Sequence, residues 1–146
     1  MRYTEGRTGR TFVCRMDHDA DLLGSITKFA NEKEIFAGIF WAIGAVKKTK
    51  FSFYEQNQKK YQDEFFNEPM ELLSCFGDIA TLKGEIMAHI HGTFSKEDGK
   101  AIGGHVVEGT TMFAGELFIV ELLGARLERS FDEVTGLNLY EPKKDE

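Results

Sequence analysis

Cysteine, proline, tryptophan and histidine are all scarce in this chain, and its cations are outnumbered by acids. Its 146 residues include two cysteines, two prolines, one tryptophan and four histidines. Two thiols cannot form the disulfide framework of a small secreted domain. Cys14 and Cys75 each lie in an apolar, strand-like run and read as buried, reduced cysteines. No apolar stretch approaches the roughly 20 residues that a membrane-crossing helix needs, because Gly, Glu or Lys interrupts every candidate. The N-terminus, Met1-Arg-Tyr-Thr-Glu-Gly-Arg, lacks the apolar core of a signal peptide. The expectation is a cytoplasmic protein with no membrane contact. With 18 Lys and Arg against 24 Asp and Glu, the net charge of −6 opposes nonspecific attachment to a nucleic-acid backbone, which needs many cations displacing counterions. The local basic groups, Arg2, Arg7 and Arg10, Lys47, Lys48 and Lys50, and Lys59 and Lys60, read most simply as solvated turn residues. Internal repeats, low-complexity linkers and Gly-rich phosphate loops ahead of a helix are absent too.

What is present fits one globular domain over residues 1–140, followed by a charged tail, 141–146. Arg10 to Met16 reads as a first strand after a polar arm. Asp17-His-Asp-Ala-Asp then offers N-caps, Asp19 or Asp21, for a helix whose face carries Leu22, Leu23, Ile26, Phe29 and Ala30. His18 reads as a surface residue. Ile35 to Val46 and Phe51 to Tyr54 read as two strands joined near Lys47, Lys48 and Lys50, and Gly44 leaves room for another backbone to come close. Gln56 to Lys60 is a hairpin tip and Tyr61 to Phe66 its return. Pro69 marks a boundary, and Met70 to Phe76 is a strand that Gly77 or Asp78 bends. Glu116 to Leu123 reads as a strand buried on both faces, and Arg126 to Asp132 as an edge strand. The fold class is α+β, dominated by antiparallel strands with one clear early helix.

Three of the four histidines crowd into the stretch from Glu85 to Gly109. Ile86, Ala88 and Ile90 alternate with Met87, His89 and His91, the period of two that shows one set of side chains to each face of a strand. Ser95-Lys-Glu-Asp-Gly supplies a turn, and a second extended run follows from Lys100. If Glu97, Asp98 and Gly99 form a three-residue loop, His91 faces His105. Cβ atoms of such pairs lie about 5 Å apart, close enough for three imidazoles to reach one cation. A two-residue turn at Asp98-Gly99 shifts the register and sends His105 to the other face. Three neutral imidazoles with a position left open describe a catalytic rather than a closed structural zinc site. Gly103 and Gly104 suit a bulge or close backbone approach, and simple alternation points Glu108 away from His105.

Taken in order, Arg10-Thr-Phe-Val-Cys-Arg-Met, Trp41-Ala-Ile-Gly-Ala, Glu68-Pro-Met-Glu-Leu-Leu-Ser-Cys-Phe-Gly-Asp-Ile, His89-Ile-His, Gly103-Gly-His-Val-Val-Glu-Gly and Phe131-Asp-Glu-Val-Thr-Gly-Leu resemble the PPC domain, the plant and prokaryote conserved domain. The resemblance runs from about Gly9 to Leu139. It implies an antiparallel sheet with flanking helices, a homotrimer, and the presumed DNA-binding or regulatory role usual for prokaryotic members. Arg7-Thr-Gly-Arg10 lacks the proline of the AT-hook that precedes plant domains, and the segment from Met70 to Ser74 matches the plant interaction motif only in part. The domain is also similar in fold to acetolactate decarboxylase, in which a His-x-His pair and a further His hold zinc; His89, His91 and His105 match that arrangement. Two functions follow as expectations. One is a trimeric module contacting DNA or a protein partner and carrying a zinc or other divalent metal site. The alternative is a zinc-dependent enzyme for a small carboxylate or keto acid, with Arg10, Arg15 or Arg126 as candidates to hold the substrate's carboxylate.

Overall fold

A computed structural model describes residues 1–141; the expected tail from 142 onward lies outside the described residues. Among the described residues nine strands form one sheet: β1 (Arg7–Met16), β2 (Gly38–Glu55), β3 (Lys60–Phe66), β4 (Met70–Leu82), β5 (Glu85–Ser95), β6 (Ala101–Val106), β7 (Thr111–Leu123), β8 (Glu128–Asp132) and β9 (Leu137–Tyr140), with α1 (Leu22–Glu32) between the first two. All pairings are antiparallel save a short parallel contact between β4 and β8. Among the described residues no helix is long and apolar enough to cross a membrane.

Helix α1 starts at Asp21, whose side chain accepts from Gly24 N at 2.8 Å and also from Gly109 N at 2.7 Å. The cap thereby ties the helix to the loop that follows β6. Leu22, Ile26 and Ala30, four residues apart, are fully buried against the sheet, and burying each large one stabilises the fold by about 1.5 to 3 kcal/mol.

Strand β2 corrects the two-strand reading of this region: it passes unbroken through the lysines. Thr49 turns inward and is fully buried, while Lys47 reaches Asp19 at 2.7 Å and Lys50 reaches Asp63 at 2.8 Å. The register shift between Val46 and Lys48 turns Lys47 outward, and alternation sets Lys50 on the face away from Thr49, so both cations reach acids on neighbouring segments and nothing compels a turn. Register shifts at Ala42/Gly44 on the β4 side and at Ala45/Val46 and Val46/Lys48 on the β7 side let one strand serve several partners. At Gly44, with φ +153°, a Cβ would stand 2.2 Å from Ala114 O, so the close approach that the small residues permit is to β7 of the same chain.

Strand β4 likewise continues past Gly77 instead of bending there. A Cβ at Gly77 would meet His89 O at 2.2 Å and Phe40 Cζ at 2.4 Å; the glycine admits a neighbouring strand and a core ring. The first half of β2 pairs with β4, its second half with β6, and β5 joins β4 to β6, so these four strands close into a circuit. Phe40, Leu72, Ile90, Phe94 and Val106 from this circuit are buried in the common core. Cys75, buried on β4, and Cys14 on β1 are both free thiols.

One transverse row of the sheet stays open. Val13 pairs with Phe118, Phe118 with Trp41, Trp41 with Phe76, and Phe76 with His91. Val13, Trp41 and Phe76 are exposed, and the Trp41 and Phe118 rings stack 5.6 Å apart.

Candidate metal centre

The row ends in the histidines. On β5, period-two alternation sets His89 and His91 on one face, and the turn after it fixes what opposes them. Lys96 N donates to Lys100 O at 3.0 Å, Gly99 N donates to Lys96 O at 2.9 Å, and Gly99 takes φ +78°. The loop is therefore Glu97, Asp98 and Gly99, and His91 faces His105 as that turn requires. Gly103 and Gly104 fit β6 tightly into place: a Cβ at Gly103 would lie 2.2 Å from Gly92 O, and one at Gly104 2.8 Å from Phe51 Cδ2.

One nitrogen from each of His89, His91 and His105 lies within 4.8 Å of the others. The ring centroids are 5.1, 4.9 and 5.5 Å apart, and Tyr61 of β3 stacks on His105 at 5.2 Å. Burial first, and then the neighbouring imidazoles and Arg129, push the His105 pKa down to about 4. Burial and His89 also lower that of His91. Both rings are therefore neutral near pH 7 and keep lone pairs for a Lewis acid. Nδ1 of His105 is buried with no hydrogen-bond partner, an orphan that a cation would satisfy. The donor set fits zinc or a similar divalent ion, because imidazoles suit such metals.

Behind this cluster stands a second layer. Asp78, the cross-strand partner of His89, places Oδ2 3.2 Å from His89 Nδ1. Arg129 of β8 donates from Nη2 to Asp78 Oδ1 at 2.8 Å and Oδ2 at 3.0 Å, and from Nη1 to Asn138 O at 3.1 Å. Its guanidinium lies 4.3 Å from the Tyr140 ring centroid, and its Nε is buried without a partner. Burial opposes ionisation of Asp78, but hydrogen bonds from His89, Tyr140 and Arg129, with the arginine's charge, outweigh it and hold the carboxyl below its ordinary range. Burial, and then the hydrogen bond to that carboxylate, raise the Tyr140 hydroxyl well above its ordinary value. Beside the cluster opens a cavity of about 370 Å³, walled by Leu23, Met87, Phe131 and Leu139 and reached by His89, His105 and Arg129.

The model of the Plants and Prokaryotes Conserved (PCC) domain, the PPC domain of the sequence comparison above, matches residues 3–123. The chain belongs to this family.

Among solved PPC relatives, a metal-containing protein of Archaeoglobus fulgidus is 37% identical, with a TM-score of 0.91 over 96% of this chain and 99% of its own. A plant- and prokaryote-conserved protein of Pyrococcus horikoshii is 31% identical, with a TM-score of 0.91 over 99% of both chains. A protein of Bacteroides thetaiotaomicron named for a presumed DNA-binding role is 26% identical, with a TM-score of 0.85 over 95% of this chain and 99% of its own. Acetolactate decarboxylase of Bacillus subtilis shares the fold alone: 15% identity and a TM-score of 0.56 over 75% of this chain and 51% of that one. No curated protein matches the chain by sequence.

In this PPC chain the arginines singled out from sequence do not reach the histidines. Arg10 pairs with Glu121 at 2.7 Å, Arg15 and Arg126 are exposed, and none of the three lines the cavity. Glu108 lies outside the histidine cluster, in a shallow cleft against α1. His18 is exposed and bonds Phe113 O at 2.8 Å, apart from the site. Sequence reasoning missed Asp78, Arg129 and Tyr140. Asp78 had a signal: Lys83 and Gly84, with φ of +53° and +84°, form a two-residue turn that sets Asp78 opposite His89. Arg129 had none, because it arrives through the parallel contact of β8 with β4.

Proposed function

We propose that His89, His91 and His105 hold a divalent metal ion, zinc first among the candidates, and that its open position faces the adjoining cavity and takes a small anionic molecule. The observation that carries this reading is the convergence of three imidazole nitrogens within 4.8 Å of one another, joined by a buried His105 Nδ1 that has no hydrogen-bond partner. The metal named for the Archaeoglobus relative supports it. Such an ion would polarise a carbonyl or lower the pKa of bound water, which keeps a zinc-dependent enzyme acting on a small carboxylate or keto acid as the catalytic version. Elemental analysis of untagged protein purified without chelator tests the site. About one zinc per chain, lost in His91→Ala, is expected; full metal content in that variant refutes the three-histidine assignment.

The regulatory reading, a trimer contacting DNA or a protein partner, draws on the role named for the Bacteroides relative and on the open apolar row Val13, Phe118, Trp41 and Phe76. That row supports self-association, and light scattering on purified protein should give three chains per particle. The charge pattern weighs against tight DNA binding: Lys47, Lys50 and Lys96 are each already paired with an acid. Anisotropy titrations with duplex DNA at low salt decide that part, and no binding there eliminates it.

A further inference from the structure

We propose that Asp78, Arg129 and Tyr140 are positioning residues of the metal site, and that the β8–β9 hairpin, beyond the segment 3–123 that the family model matches, fixes His89 in the tautomer that can bind metal. The proposal rests on the metal reading above.

Asp78 is an ionised carboxylate pinned by two contacts from Arg129, so it can only accept. With Oδ2 at 3.2 Å, His89 Nδ1 must carry the hydrogen. The lone pair of His89 then resides on Nε2, the nitrogen left for an ion. Arg129 Nη2 is also 3.3 Å from His89 Nδ1, but a protonated nitrogen offers it no lone pair, and its hydrogens go to the carboxylate.

The carboxylate's own orientation comes from the C-terminal hairpin. Strand β8 is registered on β4 by Thr81 facing Glu128 and Leu82 facing Arg129. The arginine side chain, 10% exposed, is anchored by Asn138 O on β9 and lies over the Tyr140 ring. The Tyr140 hydroxyl sits near enough to Asp78 for each to shift the other's ionisation. Groups from β5, β8 and β9 thus converge on one carboxylate from β4. Outer groups that orient a ligating histidine commonly alter metal affinity by 10- to 100-fold when removed.

The decisive variant is Asp78→Asn. It keeps shape and removes charge, and its amide can turn an N–H toward Nδ1, which drives the hydrogen of His89 to Nε2. Two readouts on the full chain are needed: zinc affinity by chelator competition, and the His89 tautomer by long-range nitrogen–proton NMR of metal-free protein. Wild type should show His89 protonated at Nδ1. Asp78→Asn should lose that signature and bind zinc about 10- to 100-fold more weakly. Tyr140→Phe, which keeps the ring under Arg129, should weaken zinc by about tenfold or less and keeps the test available if Asp78→Asn does not fold. Wild-type His89 protonated at Nε2, or unchanged zinc affinity in the folded variants, overturns the proposal. A wild type that binds no zinc overturns the metal reading, and this proposal with it; zinc on the wild type and equal zinc on the variants overturns this proposal alone.

Discussion

Replacing Gly103 by Ala puts a methyl where β6 touches β5 most closely. The added Cβ would stand 2.2 Å from Gly92 O and 3.1 Å from both Gly92 C and Thr93 Cα, all backbone atoms with no rotamer to escape into. Restoring an ordinary contact of about 3.4 Å needs roughly 1.2 Å of strand separation at that point. Overpacking of this kind costs about 1 to 3 kcal/mol, and one weakened ladder hydrogen bond adds about 0.5 to 1.5 kcal/mol. The expected loss is therefore about 1.5 to 4.5 kcal/mol. His105 lies two residues along the same strand, facing His91, so the shift also spoils the convergence of the imidazoles. Urea unfolding of metal-free protein should show the lower midpoint with an unchanged slope, and chelator competition should show weaker zinc binding. Gly84→Ala is the control. Gly84 has positive φ, +84°, but nothing lies within 4 Å of its Cβ, so the variant should lose only turn stability and leave zinc affinity intact. A Gly103→Ala protein within about 0.5 kcal/mol of wild type, with full zinc affinity, would refute the close-contact reasoning.

Truncating Phe40, fully buried where β2 meets Gly77 of β4, should cost about 3 to 5 kcal/mol, measured by the same denaturation. Asp21→Ala removes the helix cap and the tie to Gly109, and should cost at least about 1 kcal/mol. The hydrogen bond from Arg10 lowers the Glu121 pKa more than burial raises it. Its contribution is therefore complete above the ordinary carboxyl pKa and fades as pH falls through the lowered one. Thermal midpoints of wild type and Glu121→Gln should accordingly converge as acid is added and differ near neutrality; a constant gap would contradict this.

The histidine hairpin was legible because turn chemistry is local, but the choice between a three-residue and a two-residue loop was not: the Lys96–Lys100 pairing makes it three residues, and that register sets His91 against His105. The cap at Asp21 was legible for the same reason. The continuity of β2 was not, because the acids that receive Lys47 and Lys50 come from Asp19 and Asp63, outside the strand. Gly77 misled in a similar way, since its small size serves a ring from β2 and a carbonyl from β5 that only the assembled sheet brings near. The site thus divides into a part encoded within one hairpin and a part, Arg129 and Tyr140, delivered by strands that join from the far end of the chain.

That division bears on how the molecule assembles. All three imidazoles fall between residues 89 and 105 on consecutive strands, so a cation bridging them closes only a short stretch of chain, at small entropic cost. An ion can then engage the hairpin before the rest of the sheet has formed. Zinc should speed refolding by preorganising β5 and β6, yet raise equilibrium stability by less than its native affinity suggests, because the unfolded chain retains some of that affinity. Refolding rates and unfolding midpoints measured with and without zinc would separate the two effects.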